Sequence, residues 1–404
     1  MHSDDIDVLV NKYWAVREQF VSDSEYELID RLLDEGDVGD YTKPTKETPV
    51  PAKIFVCWLD TDFTEPILKK IYPRYKIIKH RLGPRVRFLA YFCLSREVYL
   101  KKAYRKLSQE DFYGMGFKSV PNYELLRVFI YEKIGRERLK SIFKLVIEEV
   151  KHILTENGIK LGERVGEDAT DIQALKYDED AEYSGYYKEY GYKIDIVHDL
   201  DQETLPIDYS LLQITDDEGK YLPDSKKNLE QIGIKPNEWK VDGKYPSYSN
   251  IAKLEIQSTH LIYKIQEDWI YNPKGTFEEI EKKYQTYHNY PDFKPTKDIE
   301  VMVSYLYKKE EYEFVGAFYR NQSMNEFKNN PKEYLSKCAE RSGKTEGMIS
   351  VIKLETALDT RLPKRGWDAF VFIAGISMLA FAFAALIKLQ NGTLTHLGSL
   401  TYIT

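Results

Sequence analysis

Between Ala369 and Ile387 the chain reads AFVFIAGISMLAFAFAALI, nineteen residues without a charge. A run like this has two fates. As a helix it spans about 28 Å, just short of a hydrocarbon core of roughly 30 Å, so it is a candidate membrane span. It can equally be a helix buried on all sides inside a protein. Its six alanines and one glycine suit close packing in either setting. Whatever the chain folds into must hide this segment.

The remainder is long enough to hide it. A chain of 404 residues suggests two or three domains at roughly 150 residues each. With 43% apolar and 30% charged residues, each domain can bury an ordinary core. A disordered chain, a collagen-like fibre and a disulfide-stapled miniprotein are excluded. Cys57, Cys93 and Cys338 lie far apart and form no CxxC pair, so neither a disulfide framework nor a cysteine zinc site is expected. The seven histidines show no HxH or HxxxH spacing and read as structural. The acidic start MHSDDIDVLVNKYW lacks the basic-then-apolar order of a signal peptide. A cytoplasmic location is the expectation.

The net charge of −7 conceals a strong asymmetry. Residues 1–65 carry 6 basic and 16 acidic side chains, residues 66–110 carry 13 and 2, and residues 167–242 carry 8 and 20. An acidic average is therefore no argument against a nucleic-acid partner. A charge run is as often a solvated face as a binding surface.

Residues 1–50 read as an acidic leader and linker ending in TKPTKETPVPAK. Residues 51–158 read as mainly helical. Val86–Leu107 looks largely helical, and Pro121-Asn122 opens a helix carrying Leu125, Leu126, Phe129 and Ile130. Gly135 separates this from a second helix with Leu139, Ile142, Phe143, Val146 and Ile147. After Gly158 short apolar runs bounded by turns take over: 192–200, 210–215, 238–244 and 260–265, with short helices between them over 226–233 and 247–256. That is a mixed α/β pattern. Strands are expected at 299–308 and 311–321 within a strand-rich insertion at about 266–330. Asn330-Pro331 has the form of a helix start.

Three acids stand where chemistry could use them. Asp168, in GEDATDIQAL, is read as following a turn, and Asp242, in EWKVDGKYPSYSN, as ending a strand beside Gly243. A carboxylate at such a place can approach a phosphate or a cation closely, although a lone Asp there is more often a turn or helix cap. Asp171, Asp178 and Asp180 read as surface acids. Glu346 lies in a helix between Gly343 and Gly347, with Ser350 and Lys353 on its face. A Glu–Lys pair on a helix is usually a plain surface interaction. Two glycines beside it, each costing about 1 kcal/mol in a helix, leave room for a bulky polyanion.

Together these stretches resemble the DDE transposases of prokaryotic insertion sequences, in the group named after insertion sequence four. The resemblance is carried by Asp168-Ala169-Thr170, by Val241-Asp242-Gly243-Lys244-Tyr245 with Asn250, and by Thr345-Glu346-Gly347 with Lys353. The tail RLPKRGWDAFVFIAGISMLAFAFAALIKL is also similar, and the likeness runs from about Leu161 to Asn391. Where the family has Tyr and Arg ahead of the glutamate, this chain has Ala339 and Ser342, with Arg341 next door.

The resemblance implies an α/β fold: a ribonuclease-H-like mixed sheet with a strand-rich insertion, preceded by a mainly helical DNA-binding region. The catalytic domain would cover 159–391 and leave a tail at 392–404. Asp168, Asp242 and Glu346 would be the catalytic acids and the ligands of two Mg2+ ions, with Mn2+ able to substitute, and no small-molecule cofactor is implied. In-line phosphodiester displacement asks for such a set, since two metals activate the attacking oxygen and stabilise the leaving one. The partner would be double-stranded DNA, at element ends and target, bound by a homodimer or larger assembly. Lys353 and Arg341 would contact that DNA. So would the block Lys69, Lys70, Arg74, Lys76, Lys79, Arg81, Arg85 and Arg87, interleaved with Tyr72, Tyr75 and Phe88. The resemblance also favours the buried-helix fate for 369–387. The competing readings are a ribonuclease-H-like DNA-binding or nuclease protein that no longer transposes, and a membrane-anchored protein.

Overall fold

Strand pairing across one mixed sheet organises the molecule. The computed structural model describes residues 50–78, 81–202, 204–246, 259–263, 300–308, 311–320, 331–356 and 362–400, with a few single positions between them. The leader 1–49 and most of the helix expected over 247–256 lie outside the described residues. The strands are β1 (Arg164–Gln173), β2 (Glu182–Ser184), β3 (Glu189–Asp199), β4 (Pro206–Gln213), β5 (Glu238–Val241) and β6 (His260–Tyr263). β1 pairs antiparallel with β3, and β3 antiparallel with both β2 and β4 on its outer side. On its other side β1 runs parallel to β5, and β5 parallel to β6. The central order is thus β4-β3-β1-β5-β6, three antiparallel strands followed by two parallel ones.

Register fixes what each face carries, because side chains alternate along a strand. Gly166 stands opposite His198 and beside Lys240, and Asp168 opposite Ile196, so Gly166, Asp168, His198 and Lys240 share one face. Glu167, Asp195, Trp239 and Val241 occupy the other. β1 is polar on both faces, and this is why its sequence reads as a turn rather than a strand.

Among the described residues, the five longest helices supply much of the core and position the site. α1 (Gly83–Leu94) starts with Pro84, whose ring presets the first helical turn, and buries ten of its residues. The helical stretch expected to reach Leu107 breaks after Leu94 and resumes at Leu100–Arg105. Asn122 caps the helix Tyr123–Arg127 by accepting from Glu124 N at 2.9 Å. That helix passes through a wide π-helical stretch, Val128–Ile134, to Gly135, whose φ of +60° starts α2 (Gly135–Glu156). α2 buries Leu139, Ile142, Phe143, Val146, Ile147, Val150 and Leu154, one stripe at three- and four-residue spacing. α3 (Leu222–Gln231) lies on the Glu167 face, with buried Ser225 beside Glu167. α4 (Pro331–Glu355) lies on the Asp168 face.

α5 (Trp367–Gln390) contains the uncharged run, and it is buried from Phe370 through Leu389 apart from Val371 and Phe372. Among the described residues it is the one helix long and apolar enough to cross a membrane, and protein covers it. Phe372 meets Phe92 of α1 and Tyr131, and Phe383 meets Phe63. At Gly375 an added Cβ would stand 2.7 Å from Leu139 Cδ1, so the glycine lets α5 touch α2. Phe370 stacks on Tyr192 of β3 with ring centroids 4.7 Å apart. One hydrophobic core therefore runs from the helices before residue 158 into the sheet.

β7 (Glu300–Lys308) and β8 (Glu311–Arg320) form a separate antiparallel pair at the two expected positions. The rest of the insertion expected at about 266–330 lies almost wholly outside the described residues.

Candidate active site

Parallel pairing of β1 with β5 puts Glu167 beside Val241, and this sets the next residue of each strand, Asp168 and Asp242, side by side. Asp168 stands mid-strand, and this corrects the expectation that it follows a turn. Asp242 follows the last residue of β5, as expected, and opens a turn closed by Tyr245 N donating to Asp242 O at 3.1 Å.

A single guanidinium joins the two acids. Arg341 Nη1 donates to Asp168 Oδ2 at 3.0 Å, and Arg341 Nη2 stands 3.7 Å from Asp242 Oδ1. The Arg341 side chain is 12% exposed, Asp168 24% and Asp242 42%, so the bridge opens to solvent on the Asp242 side. Burial raises the Asp168 pKa, Arg341 opposes this, and the neighbouring Asp242 charge adds to it.

α4 is pinned on both sides of Arg341. Just before it, Glu340 accepts from Lys240 Nζ at 2.6 Å, from Lys344 Nζ at 3.0 Å and from Arg164. Burial works against the Glu340 charge, but these cations win and hold its pKa down at about 2. Just after it, buried Thr345 bonds His198 Nε2 at 2.9 Å. Burial lowers the His198 pKa to about 4, so the ring is neutral at neutral pH. Gly166 makes space for it, since a Cβ there would lie 2.6 Å from His198 Nε2. Further up the helix, Tyr334 OH donates to Tyr263 O at 2.7 Å and accepts from Tyr263 N at 3.2 Å.

Glu346 follows Thr345 and is turned about 100° from it around the helix, onto the exposed side of α4. Lys353, two turns on, is half-buried. Among the described residues no three His, Cys, Asp or Glu side chains are grouped to hold a metal ion. Asp168 and Asp242 are thus brought together, with Arg341 rather than Glu346 between them.

The opposite face of the same strands holds a pair that sequence reasoning missed. Glu167 and Asp195 are fully buried, with Trp239 Nε1 donating to Glu167 Oε2 at 2.9 Å and Tyr245 OH donating to Asp195 Oδ1 at 2.7 Å. The remaining oxygens, Glu167 Oε1 and Asp195 Oδ2, find no other donor. A proton kept on either carboxyl would supply the donor these oxygens lack. Burial pushes Asp195 up to about 7 and Glu167 well above its ordinary value. Asn250 Nδ2 donates to Tyr245 O at 3.0 Å and to Gly219 O at 2.5 Å. Tyr245 and Asn250, singled out as motif residues, therefore act as supports behind Asp242.

At the rim, the β2–β3 turn presents Tyr186 and Tyr187, 82% and 41% exposed, and Lys244 Nζ lies 5.5 Å from the Tyr186 ring. Further away, the basic block divides. Lys70, Arg74, Lys76 and Arg81 are exposed, and exposed Lys69 pairs with Glu65 at 2.6 Å. Half-buried Arg85 donates to Tyr72 OH at 3.5 Å. Arg87 does not belong to a DNA footprint: it is buried and donates to Leu59 O at 2.9 Å and Met115 O at 3.2 Å. A guanidinium so placed joins two loops and cannot reach a phosphate. Lys79 lies outside the described residues.

No family model and no curated protein matches the chain. Among solved structures it is similar to a piggyBac transposase synaptic complex with hairpin DNA, at 12% identity and a TM-score of 0.36. The match covers 84% of this chain and 66% of that one, so the chain spans just under two thirds of the neighbour's length.

Proposed function

We propose that this chain is a DDE-type transposase with a ribonuclease-H-like catalytic core, acting on the DNA ends of an insertion sequence. The observation that carries the reading is the Asp168–Asp242 pair, held around one cation in the middle of β1 and just beyond β5. The sheet order supports it, three antiparallel strands and then two parallel ones, with one acid on β1 and the other just beyond its parallel neighbour β5. So do the exposed cations of residues 69–81.

Two carboxylates beside solvent suit Mg2+ or Mn2+, which take a few carboxylates and complete their shell with water and phosphate oxygens. Asp168 and Asp242 would hold the metal, with Glu346 as the third acid of this reading. When bound, it would activate the attacking oxygen and neutralise the leaving one. The chain's own part is to orient. β1 and β5 fix the acids' spacing, the Glu167–Asp195–Tyr245 network stiffens the strands behind them, and α4 closes one side. Lys353 and the exposed lysines and arginines would hold the DNA backbone, and a dimer or larger assembly would pair two ends.

A nuclease or DNA-binding protein that no longer transposes is the second reading. Glu346 on the exposed side of α4 and Ser342 in the arginine position favour it. The test is cleavage and strand transfer on terminal-repeat DNA with Mg2+. Asp168→Asn and Asp242→Asn are expected to abolish cleavage and keep DNA binding, while Asp171→Asn stays active. Near-normal cleavage by either of the first two overturns the site. Cleavage without strand transfer by the unaltered chain selects the second reading.

A further inference from the structure

The ion pairs around α4 divide into two groups. Arg164, Lys240 and Lys344 all converge on Glu340. Arg341 alone among the described ion pairs serves Asp168 and Asp242. Its two contacts are unequal, 3.0 Å to the more buried Asp168 and 3.7 Å to the more exposed Asp242. Because Glu340 and Thr345 anchor the helix on either side, the backbone at Arg341 cannot withdraw from the sheet. The side chain has flexible torsions and can.

We propose that Arg341 is a positioning residue that occupies the cation position between Asp168 and Asp242, is displaced by an incoming divalent ion, and then offers its guanidinium to a DNA phosphate. This rests on the metal reading above and adds an order to it, metal first and DNA second. The charges demand such an exchange. The guanidinium neutralises part of the repulsion between adjacent carboxylates in the metal-free protein, and a divalent ion in its place does so more completely. Guanidinium and ion cannot share the gap. An arginine released at the solvent-open edge meets the polyanion that has to be seated there, in the forked geometry that suits phosphate. By linkage, metal must then tighten DNA binding as much as DNA tightens metal binding.

The experiment is calorimetric titration of the full-length chain with Mn2+, without DNA and away from turnover. Arg341→Gln removes the competing cation and is expected to bind Mn2+ about tenfold more tightly, the loss of one charge-assisted bond of somewhat over 1 kcal/mol. Arg341→Lys keeps a cation there and should stay within about threefold of the unaltered chain. Asp242→Asn, at the exposed end of the pair, should lose most Mn2+ affinity. In a second measurement, Mn2+ should tighten binding of a terminal-repeat duplex to the unaltered chain, and Arg341→Gln should lose that enhancement. A purely structural arginine would not raise metal affinity when removed. If Arg341→Gln binds Mn2+ no more tightly while Asp242→Asn loses it, the displacement idea is overturned and the metal reading stands. If Mn2+ binding is absent, or indifferent to Asp242→Asn, both fall.

Discussion

The buried Glu167–Asp195 pair makes the folded protein a proton store, and Glu167→Gln exposes the consequence. In the folded chain at least one of the two carboxyls keeps its proton up to neutral pH, since Asp195 is pushed to about 7 and Glu167 is raised too. In the unfolded chain both titrate near the ordinary values, 3.8 and 4.5. Native protein therefore binds more protons than unfolded protein across that window. A raised carboxyl pKa gives stability that is full below the unfolded value and drains away as pH rises toward the folded one. One retained proton corresponds to a loss of about 1.4 kcal/mol per pH unit, or roughly 3 kcal/mol between pH 5 and pH 7. The glutamine side chain of Glu167→Gln has the shape of the protonated acid, donates to Asp195 and does not titrate. Below about pH 4 the variant should match the unaltered chain, and at pH 7 it should be the more stable by roughly that 3 kcal/mol, an upper figure. Urea midpoints at half-unit pH steps measure this difference, from which other titrating groups cancel. Infrared spectra supply an independent reading, a protonated-carboxyl band at pH 7 that the variant lacks. Parallel pH profiles, with that band unchanged by the substitution, would refute the retained proton.

Three other outcomes can be checked. Replacing Lys70, Arg74, Lys76 and Arg81 with Gln should weaken binding to every DNA sequence and lower the log–log salt slope by roughly 0.9 per phosphate contact, and an unchanged slope removes this surface from the interface. Arg87→Ala should leave the slope alone but cost about 2–4 kcal/mol of stability in urea unfolding, because it strands the carbonyls of Leu59 and Met115. Gly375→Ala should cost roughly 1–3 kcal/mol by forcing α5 off Leu139, read as a lowered melting midpoint; an unshifted midpoint would mean that the two helices do not touch there.

How far the sequence could be read depended on whether a signal was local. β3, β5 and β6 could be placed because their apolar residues crowd into short runs between turns. The Asn330-Pro331 signal placed the start of α4, and nineteen uncharged residues placed α5. β1 escaped notice because Glu167 and Asp171 point one way and Asp168 and Thr170 the other, leaving no alternation to detect. Arg87 looked like its basic neighbours, since burial of one cation in a charged run has no local mark. Arg341 and Asp168 are 173 residues apart, and only folding shows that they meet. The Glu167–Asp195 contact is equally non-local. Residue types near the site were legible, but their pairing was not.

The place of α5 also sets a timetable for synthesis. α2 is complete at Glu156, yet the helix that covers Leu139 ends at Gln390, more than two hundred residues later. At about 5–20 residues per second, the ribosome needs roughly 10–50 s to deliver it. Throughout that interval α1 and α2 exist without the surface that Phe372, Gly375 and Phe383 will provide. Apolar surface left open for that long favours association with other apolar chains. A ribosome that stalls before Trp367 releases a chain whose first half is as incomplete as its second.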